Sequence, residues 1–354
     1  MISFLQGDVF NKLKELDDNS IDCVVTSPPY WGLRDYGTAK WQGGDLNCSH
    51  SYGRNTRGGL TQFQKNNKGS FGDEAIKSGE HCKLCGAKRI DKQLGLEPTY
   101  QEHIQNIVEL FRAIKPKLKD SATIWLNYGD SYSSGKRTST TNQTLRGNKN
   151  YGVTRTPVQE GIKEKDLIMI PNRIAIALQD DGWYIRSEII WHKPNPMPES
   201  VRDRPTSCHE KIWLITKNKK YYYDHESIKE PVITSVNTKS GCKFGGNKTT
   251  KELNPIISGK KWEYLSTRNK RNVWTITTKP FKGAHFATFP KDLIEPCIKA
   301  GCPEGGVVLD PFGGSGTTAI VAKLLNRKSI LIELNPKYVK IAKNRISEEF
   351  GIFL

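Results

Sequence analysis

The segment VVLDPFGGSGTT, residues 307–318, leaves this chain few ways to fold. A short hydrophobic strand runs into a turn carrying Gly313, Gly314 and Gly316, and a helical pattern starts at Thr317. Glycines let a backbone approach a ligand closely, and a helix start offers unpaired N–H groups beside them. The strand SILIE (329–333) follows, and a last helix begins at Pro336. Upstream, IDCVVT (21–26), ATIWLNY (122–128) and WYIRSEIIW (183–191) also read as strands. Pro98-Thr99 opens a helix with Ile104, Ile107, Val108, Phe111, Ile114 and Leu118 at three- and four-residue spacing. Further helices span Asn172–Asp181, closed by Gly182, and Pro290 to about Ala300. Strands alternating with helices predict an α/β fold whose mainly parallel sheet is covered on both faces.

The glycine loop also limits the ligand. Glu333 closes the following strand, where an acid can accept both hydroxyls of a ribose. A phosphate-binding loop would need G-K-[ST], and the chain reads Gly316-Thr317-Thr318. A dinucleotide loop would need G-x-G-x-x-G, and the chain has Phe312-x-Gly314-x-Gly316. These residues point to a cofactor with a ribose and no pyrophosphate; a tight βα turn without a ligand is the plain alternative.

A second motif, Thr26-Ser27-Pro28-Pro29-Tyr30-Trp31, ends the strand 21–26. Two prolines freeze the turn and leave carbonyls with no N–H of their own beside them. Ser27 adds a polar oxygen and Tyr30 an aromatic face. Such a turn suits a planar base, stacked on the ring while its amino group donates to the oxygens. Taken alone, S-P-P-Y is only a rigid turn.

Together, the two motifs resemble those of the amino-methylating DNA methyltransferases. That family carries an [S/D/N]-P-P-[Y/F] tetrad and an F-x-G-x-G loop for S-adenosylmethionine. With the tetrad early and the loop late, the order resembles the circularly permuted β-type. The resemblance covers most of the chain, less so 38–95 and 194–272. It implies a doubly wound, mostly parallel seven-stranded sheet. It also implies catalysis at Ser27, Pro28, Pro29 and Tyr30, with Phe312, Gly314 and Gly316 on the methionine side of the cofactor, Thr317 also on the cofactor and Glu333 on its ribose. Asp310 would orient the loop or approach the methionine amine, and Asp8 would contact the adenine moiety. Phe289-Pro290-Lys291 resembles the remaining cofactor-side motif, and Trp191 or His192 would help hold an extruded base.

The chemistry follows from the amine. An exocyclic nitrogen shares its lone pair with the ring and is a poor nucleophile. Hydrogen bonds to Ser27 and the Pro28 carbonyl would orient it and stabilise developing positive charge. A C5-cytosine mechanism would need a nucleophilic cysteine. The one Pro-Cys pair, Pro296-Cys297, lies on an amphipathic helix, where Cys297 reads as core. Serine at the first tetrad position resembles the cytosine-N4 enzymes, so direct transfer to cytosine N4 in double-stranded DNA is expected. Adenine N6 is the alternative. A catalytically inactive zinc-containing DNA-binding protein, or an RNA or protein methyltransferase, are further readings.

Charge favours DNA. The chain has 54 Lys+Arg against 37 Asp+Glu, a formal net charge of +17, with the basic residues scattered through its middle. That pattern suits a folded surface facing a polyanion. Residues 131–165 and 229–272 interleave Lys and Arg with Asn, Thr, Tyr and Trp262, a composition fit for phosphate and base-edge contacts. A cognate restriction endonuclease is an expected partner in the cell.

Among eight cysteines only Cys82 and Cys85 form C-x-x-C. With Cys48 and His50 they would complete a tetrahedral, structural zinc site, His81 being the spare ligand. The chain has no stretch of ~18 apolar residues for a membrane span, and Asp8 interrupts the start before any signal-like apolar run. A reducing cytoplasm is the expected setting, the protein being prokaryotic or phage-encoded. Five stretches organise the chain: catalytic 1–37, a loop-rich insertion 38–95, catalytic 96–193, target recognition 194–272 and cofactor-binding 273–354. Within 194–272, KIWLIT and KYYYD read as short strands.

Overall fold

Hydrophobic strands separated by amphipathic helices assemble here into one large sheet with a helical layer on each face. The computed structural model describes residues 1–33, 36, 38–45, 47–50, 81–91, 93–133, 161–232, 267–279 and 289–351. In chain order its strands are β1 (Ile2–Gln6), β2 (Ile21–Thr26), β3 (Lys40–Gln42), β4 (Lys88–Ile90), β5 (Leu118–Tyr128) and β6 (Tyr184–His192). Then come β7 (His209–Thr216), β8 (Glu230–Pro231), β9 (Thr267–Arg268), β10 (Val273–Thr275), β11 (Val307–Asp310) and β12 (Lys328–Glu333). The α-helices are α1 (Val9–Leu13), α2 (Tyr100–Ile114), α3 (Ile170–Asp180), α4 (Lys291–Gly301), α5 (Thr317–Leu324) and α6 (Pro336–Phe350).

The large sheet runs β1-β12-β11-β2-β5-β7-β6-β10. Only β7 is antiparallel to its neighbours. All six residues of β2 are buried, as expected for a central parallel strand covered on both faces. Val24 joins one apolar cluster with Ile107, Phe111 and Leu178, from α2 and α3. Its neighbours Cys23 and Val25 join the other, with Trp125 and α4 residues Leu293, Cys297 and Ile298. The period-2 alternation of a strand therefore feeds both layers.

Local signals set the helix limits. Thr99 caps α2 by accepting the Glu102 N–H at 3.1 Å, and Asn335 caps α6 by accepting the Lys337 N–H at 2.9 Å. Cys297 is 1% exposed and its thiol is pushed well up by burial, in keeping with a core role.

The structure departs from the sequence-based expectation in three places. Among the described residues the sheet has eight strands instead of seven, because β10, only three residues long, adds to the β6 edge with Trp274 buried. Strand β1 pairs with β12 through all five of its residues and begins the fold before α1. KYYYD (220–224) is not a strand: its Tyr222 N–H donates to Ser121 and its Asp224 N–H to Ala300, so it crosses between layers without a ladder partner. KIWLIT does form a strand, as the greater part of β7.

Candidate active site

Connections from β2 and from β11 leave in opposite directions along the sheet, β2 towards β5 and β11 towards β12. Ligands in open α/β sheets bind beyond the strand ends at such a switch point. Here both sequence motifs meet. The Thr26 hydroxyl at the end of β2 donates to the Asp310 carboxylate at the end of β11, 2.8 Å away. A cavity of about 780 Å³ opens over this junction, within the usual size range of small-molecule sites.

One side of the cavity is the tetrad turn. Ser27, Pro28, Pro29 and Tyr30 all line it. Tyr30 stacks on Tyr128 with ring centroids 4.5 Å apart, and its hydroxyl donates to Glu210 at 2.7 Å. The Ser27 hydroxyl donates to the Tyr30 oxygen at 3.2 Å. The same Glu210 oxygen accepts from the Asn127 amide at 3.1 Å, while its other oxygen pairs with the Lys193 ammonium. Lys193 in turn sits 4.3 Å from the centre of the Trp191 ring. Burial and the neighbouring Glu210 charge hold the Tyr30 hydroxyl well above its usual pKa, so it stays a donor. Backbone shape supports the ring: a Cβ on Gly129 would lie 2.8 Å from Tyr30 Cε2.

Behind the turn, the Tyr128 hydroxyl accepts the Trp31 N–H at 2.8 Å and lies 2.7 Å from His103 Nε2. His103 Nδ1 lies 2.8 Å from Glu97. This buried chain fixes Tyr128, and through it Tyr30.

The glycine loop forms the opposite wall. Phe312, Gly314 and Glu333 line the cavity, with Asp8, Leu334, Tyr338 and Phe289 beside them. Glu333 accepts the Gly314 N–H at 2.9 Å and the Asn335 N–H at 2.8 Å; burial raises its pKa above the usual range although both bonds oppose that. Each carboxylate oxygen retains acceptor capacity towards the cavity. Asp8 also caps α1 through the Asn11 N–H at 3.2 Å.

Asp310, Gly316 and Thr317 sit behind the wall. Asp310 accepts from Thr26, from the Phe312 N–H at 3.1 Å and from the Thr318 hydroxyl at 2.6 Å; burial pushes its pKa up to about 6. Of the two roles expected for it, this geometry favours orienting the loop. Gly316 adopts φ +78°, and a Cβ there would approach Ala342 of α6 to 3.1 Å, so it serves helix packing. Thr317 accepts from Arg345 at 2.8 Å. Lys291 pairs with Glu349 at 2.6 Å.

Trp191 lines the cavity, its indole N–H donating to Ile276 at 2.8 Å. His192 points elsewhere, 3.1 Å from the Thr275 hydroxyl. Sequence reasoning missed Glu210, Lys193 and Asn127, which join the tetrad from three different segments. Cys48, His50, Cys82 and Cys85 come together on the β3–β4 ribbon, away from this cavity, whereas His81 is exposed and bridges to Lys88. Most of the two basic segments lies outside the described residues. Among the described residues no helix is long and apolar enough to cross a membrane.

A family described as DNA methylase matches residues 21–344. The chain is 41% identical over 343 residues to the Type II methyltransferase M.SmaI of Serratia marcescens, covering 96% of this chain and 89% of that protein. It is 39% identical over 347 residues to the Type II methyltransferase M.Cfr9I of Citrobacter freundii, covering 98% and 88%. Among solved structures, the cytosine-N4-specific PvuII DNA methyltransferase shares the fold with a TM-score of 0.53 at 17% identity, over 99% of this chain and 91% of that one. A putative DNA modification methylase from Thermus thermophilus, solved with S-adenosyl-L-methionine, gives 0.53 at 18% identity, over 100% and 96%. The fold, the paired motifs at its switch point and these relatives establish that the chain belongs to the N6/N4 DNA methylase family.

Proposed function

We propose that this chain transfers a methyl group from S-adenosylmethionine to the exocyclic N4 of cytosine in double-stranded DNA. The observation that carries the reading is the single cleft shared by the S-P-P-Y turn and the F-x-G-x-G wall. A cofactor held on one wall would face a base held on the other.

The residues present fit the cofactor. Glu333 offers buried carboxylate acceptors for a ribose, Leu334 and Tyr338 offer apolar and aromatic surface for adenine, and Asp8 stands nearby. When bound, the cofactor supplies an electrophilic methyl on a sulfonium. The protein's own work is then orientation. Ser27 and the Pro28 carbonyl accept the two amine hydrogens, holding the nitrogen lone pair towards the cofactor wall. Tyr30 presents a stacking surface for the base. Glu210, which pairs with Lys193 and accepts from Tyr30, completes the polar side of the cleft where positive charge would develop on the amine.

Cytosine is favoured over adenine on one ground. Ser27, neutral and short, occupies the first tetrad position. The Type II designations of M.SmaI and M.Cfr9I support a restriction-modification setting with a cognate endonuclease. The test is transfer of a labelled methyl group from S-adenosylmethionine to duplex DNA, RNA and protein acceptors in parallel. Label in DNA alone supports the reading; label only in RNA or protein, or none, contradicts it.

A further inference from the structure

Ribbon strands β3 and β4 pair antiparallel, Lys40 with Ile90, Trp41 with Arg89 and Gln42 with Lys88. Cys48 and His50 follow β3, and Cys82 and Cys85 precede β4, so the pairing carries two ligand pairs to one place. Their side-chain ligand atoms all lie within 4.8 Å of one another. Cys48 Sγ is 3.8 Å from Cys82 Sγ, and Cys85 Sγ is 3.3 Å from His50 Nδ1. A tetrahedral zinc with bonds of ~2.3 Å to sulfur and ~2.0–2.1 Å to nitrogen sets two sulfurs ~3.8 Å apart, and sulfur and nitrogen ~3.6 Å apart. The sulfur spacing is far too long for a disulfide, whose bond is ~2.05 Å.

The surroundings are shaped around these atoms. The C-x-x-C turn is closed by the Cys82 N–H donating to Ala87 at 2.7 Å and the Gly86 N–H to Cys82 at 2.9 Å. The Leu84 N–H donates to Cys82 Sγ at 3.4 Å. Trp41 stacks on the His50 ring at 5.0 Å and fixes its orientation. Gly44 leaves room for sulfur: a Cβ there would lie 2.8 Å from Cys85 Sγ.

The stems of this ribbon are also a wall of the cleft. Outward from the cluster, Thr38 donates to Asp91 at 3.1 Å, and the Tyr36 N–H donates to the Gln93 side chain at 2.7 Å. The Gly32 N–H then donates to Gly95 at 2.8 Å, directly against the tetrad turn. Tyr36, Thr38, Gln93 and Leu94 all line the cavity.

We propose that Cys48, His50, Cys82 and Cys85 bind one zinc ion in a closed tetrahedral site, and that this metal fastens the stem wall against the tetrad. All four positions come from protein, so the ion's role is structural. Metal binding supplies ordering energy to a ribbon too polar to supply its own core. The identity of what fills the cleft rests on the methyltransferase reading, but the metal and the fastening do not.

Elemental analysis of the full chain, purified without chelator, is expected to find about one zinc per chain. Replacing zinc with cobalt should give the thiolate charge-transfer and ligand-field absorption of a tetrahedral sulfur-rich site, and Cys85→Ser should shift it. Amide hydrogen exchange then compares zinc-loaded, chelator-stripped and zinc-restored protein. Stripping should speed exchange at the Tyr36 and Gly32 amides at least about tenfold, with zinc restoring protection. Sub-stoichiometric metal, or cobalt without thiolate bands, overturns the site. Bound zinc whose removal leaves those two amides unchanged overturns the fastening. Failure of the zinc-loaded chain to bind S-adenosylmethionine would count against the methyltransferase reading alone.

Discussion

The Tyr30 hydroxyl donates to the Glu210 carboxylate across 2.7 Å, joining the tetrad after β2 to the start of β7. Charge-assisted bonds of this kind contribute about 1.5–3 kcal/mol, and about 1.4 kcal/mol is a factor of ten in rate. Glu210→Gln keeps the shape and removes the charge that Tyr30 and Lys193 share. Single-turnover methyl transfer should slow about 10–100-fold, while calorimetric S-adenosylmethionine affinity stays within about twofold. An unchanged rate would remove Glu210 from the site.

Gly129 tests the placement of the Tyr30 ring without touching a polar group. Its backbone is ordinary, but an added Cβ would lie 2.8 Å from Tyr30 Cε2 and 3.3 Å from Glu210. Gly129→Ala should displace the ring and lower the methyl-transfer rate at least about tenfold, because positioning errors near 1 Å already cost that much. Circular dichroism and melting temperature should show a folded protein. Full activity would mean that the ring position is not critical.

Asp310 gives a pH signature of unusual sign. Burial raises its pKa from 3.8 to about 6, so between those values the folded state binds the proton more readily than the unfolded one. Its contribution to stability is greatest below pH ~4 and is lost as pH rises through ~6, opposite to a salt-bridged carboxylate. Asp310→Asn cannot titrate. From pH 7 to pH 4 the wild type should gain up to about 3 kcal/mol over this variant in denaturant unfolding, at ~1.36 kcal/mol per unit. A pH-independent difference, or one of opposite sign, would refute the assignment.

How much of this was legible in sequence depended on how local each signal was. The glycine loop, the tetrad and Glu333 carry their information within a few residues, and all three reach the cleft. The C-x-x-C pair is equally local, and the preference for His50 over His81 agrees with the ribbon register, which leaves His81 beside Lys88. Glu210 had no local signal, because its partner Tyr30 lies 180 residues away. KYYYD imitates a strand through its aromatic run, yet only the packed layers decide whether a ladder partner exists. Strand β10 and helix α1, at three and five residues, fall below the length at which periodicity can be read. Gly316 and Thr317 match the motif, but the requirement they satisfy is contact with α6, remote in sequence until the helix docks.

A target base inside a stacked duplex cannot place its amine in a cleft walled by Tyr30 and Phe312. The base must rotate out, at a cost of a few kcal/mol in lost pairing and stacking. A mismatch opposite the target base should therefore tighten binding. Affinity should also fall linearly on a log–log salt plot, with a slope of about −0.9 per phosphate contact. Titrations of matched and mismatched duplexes at several salt concentrations check both. Equal affinities would argue against flipping, and a flat salt response would remove the basic segments from the interface.

Nucleoside mass spectrometry of DNA from cells expressing this chain tests the central claim most directly. The expected result is N4-methylcytosine above the vector control, absent when Pro28→Ala replaces the wild type. N6-methyladenine in its place would contradict the assignment of the base, and no modified nucleoside at all would contradict the assignment of the reaction.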